Sequence, residues 1–84
     1  MKVNENINAN RALHDIYEAI DMMHIVKDYL TGAIKDADIS NAKGKKIKYD
    51  LKTLLHEFDQ SVALAQRVRD GLWHVTDEIE DDNR

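Results

Sequence analysis

The sequence predicts an all-α fold: an antiparallel two-helix hairpin that pairs with a second copy into a homodimeric four-helix bundle. Three observations lead there, namely a helix-forming composition without proline, two sustained heptad seams, and a polar turn between them. A chain of 84 residues is a single domain, and one this short buries only about 60% of the surface that it exposes when unfolded. With no cysteine to form disulfides and no zinc-ligand set, the missing stability is expected from self-association.

Helix 1 is predicted over about residues 8–38 from spacing. Ala9, Ala12, Ile16, Ala19, Met23, Val26, Leu30, Ala33 and Ala37 alternate steps of three and four, the period of a seam on one helix face. Asn8 or Asn10 offers a side-chain carbonyl to cap its start. Gly32 is the one weak residue inside it and is read as a kink or a close helix contact. The turn is placed at residues 39–45, where a Ser-Asn pair and Gly44 interrupt the apolar pattern.

Helix 2 is predicted over about residues 46–80, with an acidic tail at 81–84. Ile47, Leu51, Leu54, Phe58, Ser61, Ala65, Val68, Leu72, Val75 and Ile79 form its seam, with Ser61 the only polar member. A short connection between long helices makes them antiparallel neighbours. Beside each seam runs a second stripe, Leu13, Ile20 and Ile34 on the first helix, Leu55 and Val62 on the second. Together they widen each apolar face to about three positions in seven, the face of a bundle helix. Two helices cannot cover faces that wide, so two hairpins are expected to share them.

The net charge of −4 hides a segregation. From Lys43 to Lys52 five lysines (Lys43, Lys45, Lys46, Lys48, Lys52) stand against one aspartate, while from Asp77 to Arg84 five acids stand against one arginine. In a hairpin the first block lies at the closed tip and the second at the open end, about 40 Å away by helical rise. Within one chain they cannot meet; in an antiparallel dimer the tip of one hairpin comes beside the open end of the other. Exposed ion pairs contribute only about 0 to 1 kcal/mol each, enough to choose an orientation. The alternative use of the lysine tip is contact with DNA or RNA, where basic side chains displace condensed counterions from phosphate. The segment Ala33 to Leu55, "AIKDADISNAKGKKIKYDLKTLL", resembles the helix, turn and helix of small helical nucleoid-associated proteins over about a quarter of the chain. That resemblance implies the same nucleic-acid alternative and transfers no individual residue.

No residue set specifies an enzyme, a cofactor or a metal. Asp21 with His24, His56 with Asp59, and Asp70 with His74 have helical metal-ligand spacings. A di-metal bundle, however, needs inward-facing glutamates and a Glu-x-x-His on each of two helices, and the register puts His14, His24, His56 and His74 on outer faces. Ser40 and Ser61 are the only serines and Gly32, Gly44 and Gly71 the only glycines, so neither an activated nucleophile nor a phosphate loop is indicated. The N-terminal "MKVNENINAN" lacks a secretory apolar run, and no stretch approaches the roughly 20 apolar residues of a membrane span. The expected location is the cytoplasm, without membrane contact. Off the seams, Tyr17, His24, Ile25 and Trp73 form a candidate partner-binding set, since tryptophan and tyrosine are favoured interface anchors. The sequence thus predicts a non-catalytic homodimer that binds a protein partner, in the style of the small regulators and inhibitors that phages and mobile elements encode.

Overall fold

In a computed structural model the chain is a two-helix rod, with the backbone of residues 3–82 and the side chains of residues 7–81 described. Helix α1 spans Val3–Asp36 and helix α2 spans Ala42–Asp82. The two helices pack along their lengths into a hairpin of 64 × 15 × 14 Å. Its radius of gyration is 19.0 Å, against about 12 Å for a compact domain of this length. No described helix is long and apolar enough to cross a membrane.

The turn is shorter than the spacing predicts, because Asn41 caps α2 earlier. Its side-chain carbonyl accepts the Gly44 backbone N–H at 2.8 Å, and its backbone carbonyl accepts the Lys45 N–H at 3.1 Å. Those two bonds satisfy orphan donors of the first turn and start the helix at Ala42. Before it, the Asp38 carboxylate accepts the Ser40 N–H at 2.9 Å, a local bond that competes with helix continuation and ends α1 two residues before Asp38. That hydrogen bond also favours the charged carboxylate and holds Asp38 below the usual range. A lowered folded-state value means a contribution present above about pH 4 and lost as pH falls through the Asp38 value.

At the other end α1 already includes residues 3–8, so neither Asn8 nor Asn10 caps its start. Helix α2 runs on through Asp82, so residues 81–82 are helical rather than tail. Residues 83–84 lie outside the described residues.

The largest correction concerns the seam. The side chains that turn toward the other helix are Ala9, Leu13, Ile16, Ile20, Met23, Lys27, Leu30 and Ile34 on α1 with Ala37 just after it, and Lys48, Leu51, Leu55, Phe58, Val62, Ala65, Arg69, Leu72, Thr76 and Ile79 on α2. Every second expected member has moved on by one residue. The stripe expected beside the seam (Leu13, Ile20, Ile34, Leu55, Val62) lies inside it, and Val26, Leu54, Ser61, Val68 and Val75 lie outside it and exposed.

Two physical reasons account for the shift. On α1 the inner stripe offers Leu13, Ile20 and Ile34 where the alternative offers alanines, so it buries more apolar area at about 25 cal/mol per Å². Two of its charged members also find partners across the hairpin: Lys27 Nζ lies 2.9 Å from Asp59, and the Arg69 guanidinium stands 5.6 Å above the Tyr17 ring. Polar residues at such positions align helices even where they add little stability. Ile20, Val62 and Ile79 are the buried apolar side chains among the described residues. Thr76 is buried with them, its hydroxyl donating to the Trp73 carbonyl at 2.9 Å.

Gly32 has no structural need to be glycine, since an added Cβ would meet nothing within 4 Å and α1 continues through it unbroken. The expectation of a close helix contact there is therefore corrected. Gly32→Ala is predicted to stabilise the protein by about 0.5–1 kcal/mol, through lower unfolded-state entropy and better helix propensity. Thermal unfolding followed by circular dichroism should show a rise of about 4 °C.

Candidate protein-binding faces

A heptad frame shared by both helices sorts the surface into two unlike faces. Where the seam positions are called a and d, antiparallel helices place the residues just before each a (position g) along one side and those just after each d (position e) along the other. The e side carries Tyr17 and His24 from α1 with Asp59, Gln66 and Trp73 from α2. The g side carries Ala12, Ala19, Val26 and Ala33 from α1 with Ile47, Leu54, Ser61, Val68 and Val75 from α2.

The e side is closed by side-chain bonds between the helices. The Trp73 Nε1–H donates to the Tyr17 hydroxyl at 2.8 Å, with the Arg69 guanidinium above the same ring. The Lys27 to Asp59 ion pair closes the next section toward the tip. Tyr17 and Trp73, members of the candidate partner-binding set, thus form one joined unit whose rings remain about half exposed. His24 follows Tyr17 on the same edge, two helical turns on. Ile25 is exposed but lies one residue further round the helix, so it does not share that edge.

The g side is left open. Its apolar members on α2, together with Val26, are between 41% (Val26) and 53% (Leu54) exposed. Leu54 and Ser61 border a shallow groove floored by Leu30 and Phe58 of the seam. Around mid-rod the face widens, because Met22, Tyr29 and Leu64 flank it and are exposed as well. Scattered exposed apolar residues are ordinary, whereas a contiguous row along one side of a rod marks an interaction surface.

The lysine tip is built as expected from charge, with Lys43, Lys45, Lys46 and Lys52 exposed and Lys48 half-buried at the seam end. Lys46 is paired with Asp50 at 3.1 Å, one turn along the helix. Lys45, Lys48 and Lys52 line a shallow cleft with Ile39 and Tyr49. Of the metal-spaced pairs, His56 lies 3.3 Å from Gln60 while Asp59 turns to Lys27, so the two do not share a ligand position. Spacing arguments missed one cluster: His14, Asp15 and Glu18 bring ligand atoms within 4.8 Å of one another. All three are exposed, with the His14 ring nitrogens 3.3 Å from Asp15 and 3.7 Å from Glu18. Its signal in the sequence was an i, i+1, i+4 step.

Trp73→Phe keeps an aromatic ring, though a smaller one, and removes the indole donor, and Tyr17→Phe removes its acceptor. Each is predicted to cost about 0.5–1.5 kcal/mol, the net contribution of one hydrogen bond, and the double variant should cost no more than either single. A thermodynamic cycle from urea unfolding checks this, additive losses being the contrary result.

In comparisons with known proteins, the chain matches no family model, no curated protein and no solved structure.

Proposed function

We propose that the chain is a non-catalytic binding protein that works as an antiparallel homodimeric four-helix bundle and regulates a larger protein partner. The observation that carries this reading is the open g side. A hairpin whose e side is sealed by side-chain bonds and whose g side presents a row of half-exposed Leu, Ile and Val side chains has one face left to bury. The surface of 6540 Å² points the same way, since a compact monomer of this mass exposes about 5,100 Å². Standard interfaces bury about 800 Å² per partner, which that excess more than covers.

With the g side given to a second copy, the outward edge bearing Tyr17, Trp73 and His24 is the surface for a protein partner. An aromatic pair fixed by its own hydrogen bond offers anchor area with little entropy left to lose. The nucleic-acid alternative draws on the same lysines that the dimer would set beside its acidic ends, so the two uses compete.

Solution mass by light scattering at low and high salt, with and without a short DNA duplex, tests the reading. A two-chain mass that ignores the duplex supports it. A single-chain mass, or a salt-sensitive nucleoprotein complex of the kind that counterion release produces, would overturn it.

A further inference from the structure

Resting on the dimeric reading above, we infer the alignment of the two copies: α2 packs antiparallel on α2 of the second copy with Ser61 on the two-fold axis, and α1 packs likewise on the partner's α1. Turning one hairpin over onto another through a two-fold axis perpendicular to the rod lays like helix on like helix. The open stripes must then match themselves when read backward.

They do so without overhang. On α2 the stripe Ile47, Leu54, Ser61, Val68, Val75 is centred on Ser61, which sets Ile47 against Val75 and Leu54 against Val68 of the partner, with the one polar member meeting its own copy. On α1 the stripe Ala12, Ala19, Val26, Ala33 is centred between Ala19 and Val26, beside Met22 and Met23. A single axis serves both helices only if those centres are level in the hairpin. The Lys27 to Asp59 bond sets residue 27 beside residues 58 and 59, which puts residues 22 and 23 beside residues 62 and 63. The two centres therefore agree to about 2 Å at 1.5 Å per residue. The exposed Met22 and Leu64 also sit at this level, with exposed Tyr29 two helical turns nearer the tip.

Charge selects the same arrangement. The first turn of α2 contains no acid and its last turn no base; instead the lysines crowd its N-terminal end and Asp77, Glu78, Glu80 and Asp81 its C-terminal end. Both blocks oppose the helix's own dipole, which favours acids at the start and bases at the end. Alone, α2 is charged the wrong way round. In the proposed alignment Lys43 comes level with Ile79, next to Glu78, and Lys45 level with Asp77 of the second copy, and each lysine block lies beside the negative end of the neighbouring dipole. Hairpins packed tip beside tip would instead stack lysines on lysines.

Cysteine cross-linking tests the alignment, because the chain has no cysteine of its own and a disulfide needs Cα atoms within about 7 Å. Ser61→Cys is expected to cross-link to itself on mild oxidation. The rate should exceed that of Ala63→Cys, an outward-facing collision control, by about tenfold or more, as for a pair held at high effective concentration. Ile47→Cys alone should stay single-chain, whereas a mixture of Ile47→Cys and Val75→Cys chains should form the mixed disulfide. Self-linking of Ile47→Cys with no mixed disulfide between Ile47→Cys and Val75→Cys chains would overturn the alignment in favour of tips together. A two-chain mass with neither link would overturn it while leaving the dimer, and a single-chain mass for the unmodified protein would overturn both.

Discussion

Leu55→Asp is expected to abolish the hairpin, while Leu54→Asp, one residue away, leaves both helices formed and removes the second copy. Leu55 turns into the seam between α1 and α2, whereas Leu54 is 53% exposed on the open side. Replacing a seam leucine by a carboxylate combines the loss of its buried methyl groups with the burial of an unpaired charge, about 3–5 kcal/mol or more. A chain of 84 residues has a total stability of about 4–13 kcal/mol, and a hairpin whose described buried apolar side chains are Ile20, Val62 and Ile79 belongs at the low end of that range, so most of its helical circular dichroism should vanish at 25 °C. At Leu54 the carboxylate stays in water in the free hairpin and is desolvated only when a second copy arrives. At about 2 kcal/mol for each of two symmetry-related sites, the dimer dissociation constant should rise by roughly a thousandfold. The pair of variants thus separates folding from assembly. Equal loss of helix in both would mean that the hairpin has no independent existence; retention of the two-chain mass by Leu54→Asp would place the interface elsewhere.

The same pair of leucines shows how far the sequence could be read. Periodicity identified two antiparallel helices, a turn near Gly44 and an apolar face about three positions wide, since each depends only on residues close in the chain. It could not decide which two of the three stripes face inward within one chain. Leu54 and Leu55 are adjacent and equally apolar, and one choice of seam differs from the other by a rotation of about 50°, half the 100° step between residues that follows from 3.6 residues per turn. The choice was settled by partners distant in sequence. Lys27 reads as a blemish in a seam until Asp59 arrives beside it, and Arg69 until it stands over Tyr17. For the same reason the sequence grouped Trp73 and Tyr17 only as off-seam residues, and the hydrogen bond that joins them across 56 residues was not legible in it. The segregated charges were legible from the start, because net charge needs no geometry. Their conflict with the dipole of α2 was not, since it depends on where that helix begins and ends.

Gly44→Ala is predicted to be the most damaging small substitution at the tip. A Cβ built on Gly44 would overlap the Asp38 backbone carbonyl, which is held over the first turn of α2 by the Asp38 to Ser40 and Gly44 to Asn41 bonds. Backbone cannot swing aside as a flexible side chain would, so the turn must shift and weaken the Asn41 cap, which contributes about 1 kcal/mol. The overlap adds about 1–3 kcal/mol. Against these stands about 1 kcal/mol gained from alanine's better helix propensity. The net loss of about 1–3 kcal/mol corresponds to a fall in midpoint of roughly 5–20 °C, opposite in sign to the rise expected for Gly32→Ala in the same helical hairpin. Thermal melts of the two variants side by side provide the test, and a midpoint for Gly44→Ala at or above that of the parent would show that α1 and α2 are not joined through this close approach. Asp38→Asn should then fall well short of Gly44→Ala, because an amide oxygen can still accept the Ser40 N–H while the Asp38 carbonyl stays where it is. What glycine contributes at residue 44 is room for the chain to turn back, and the register of every layer between Ala37 and the open end follows from that turn.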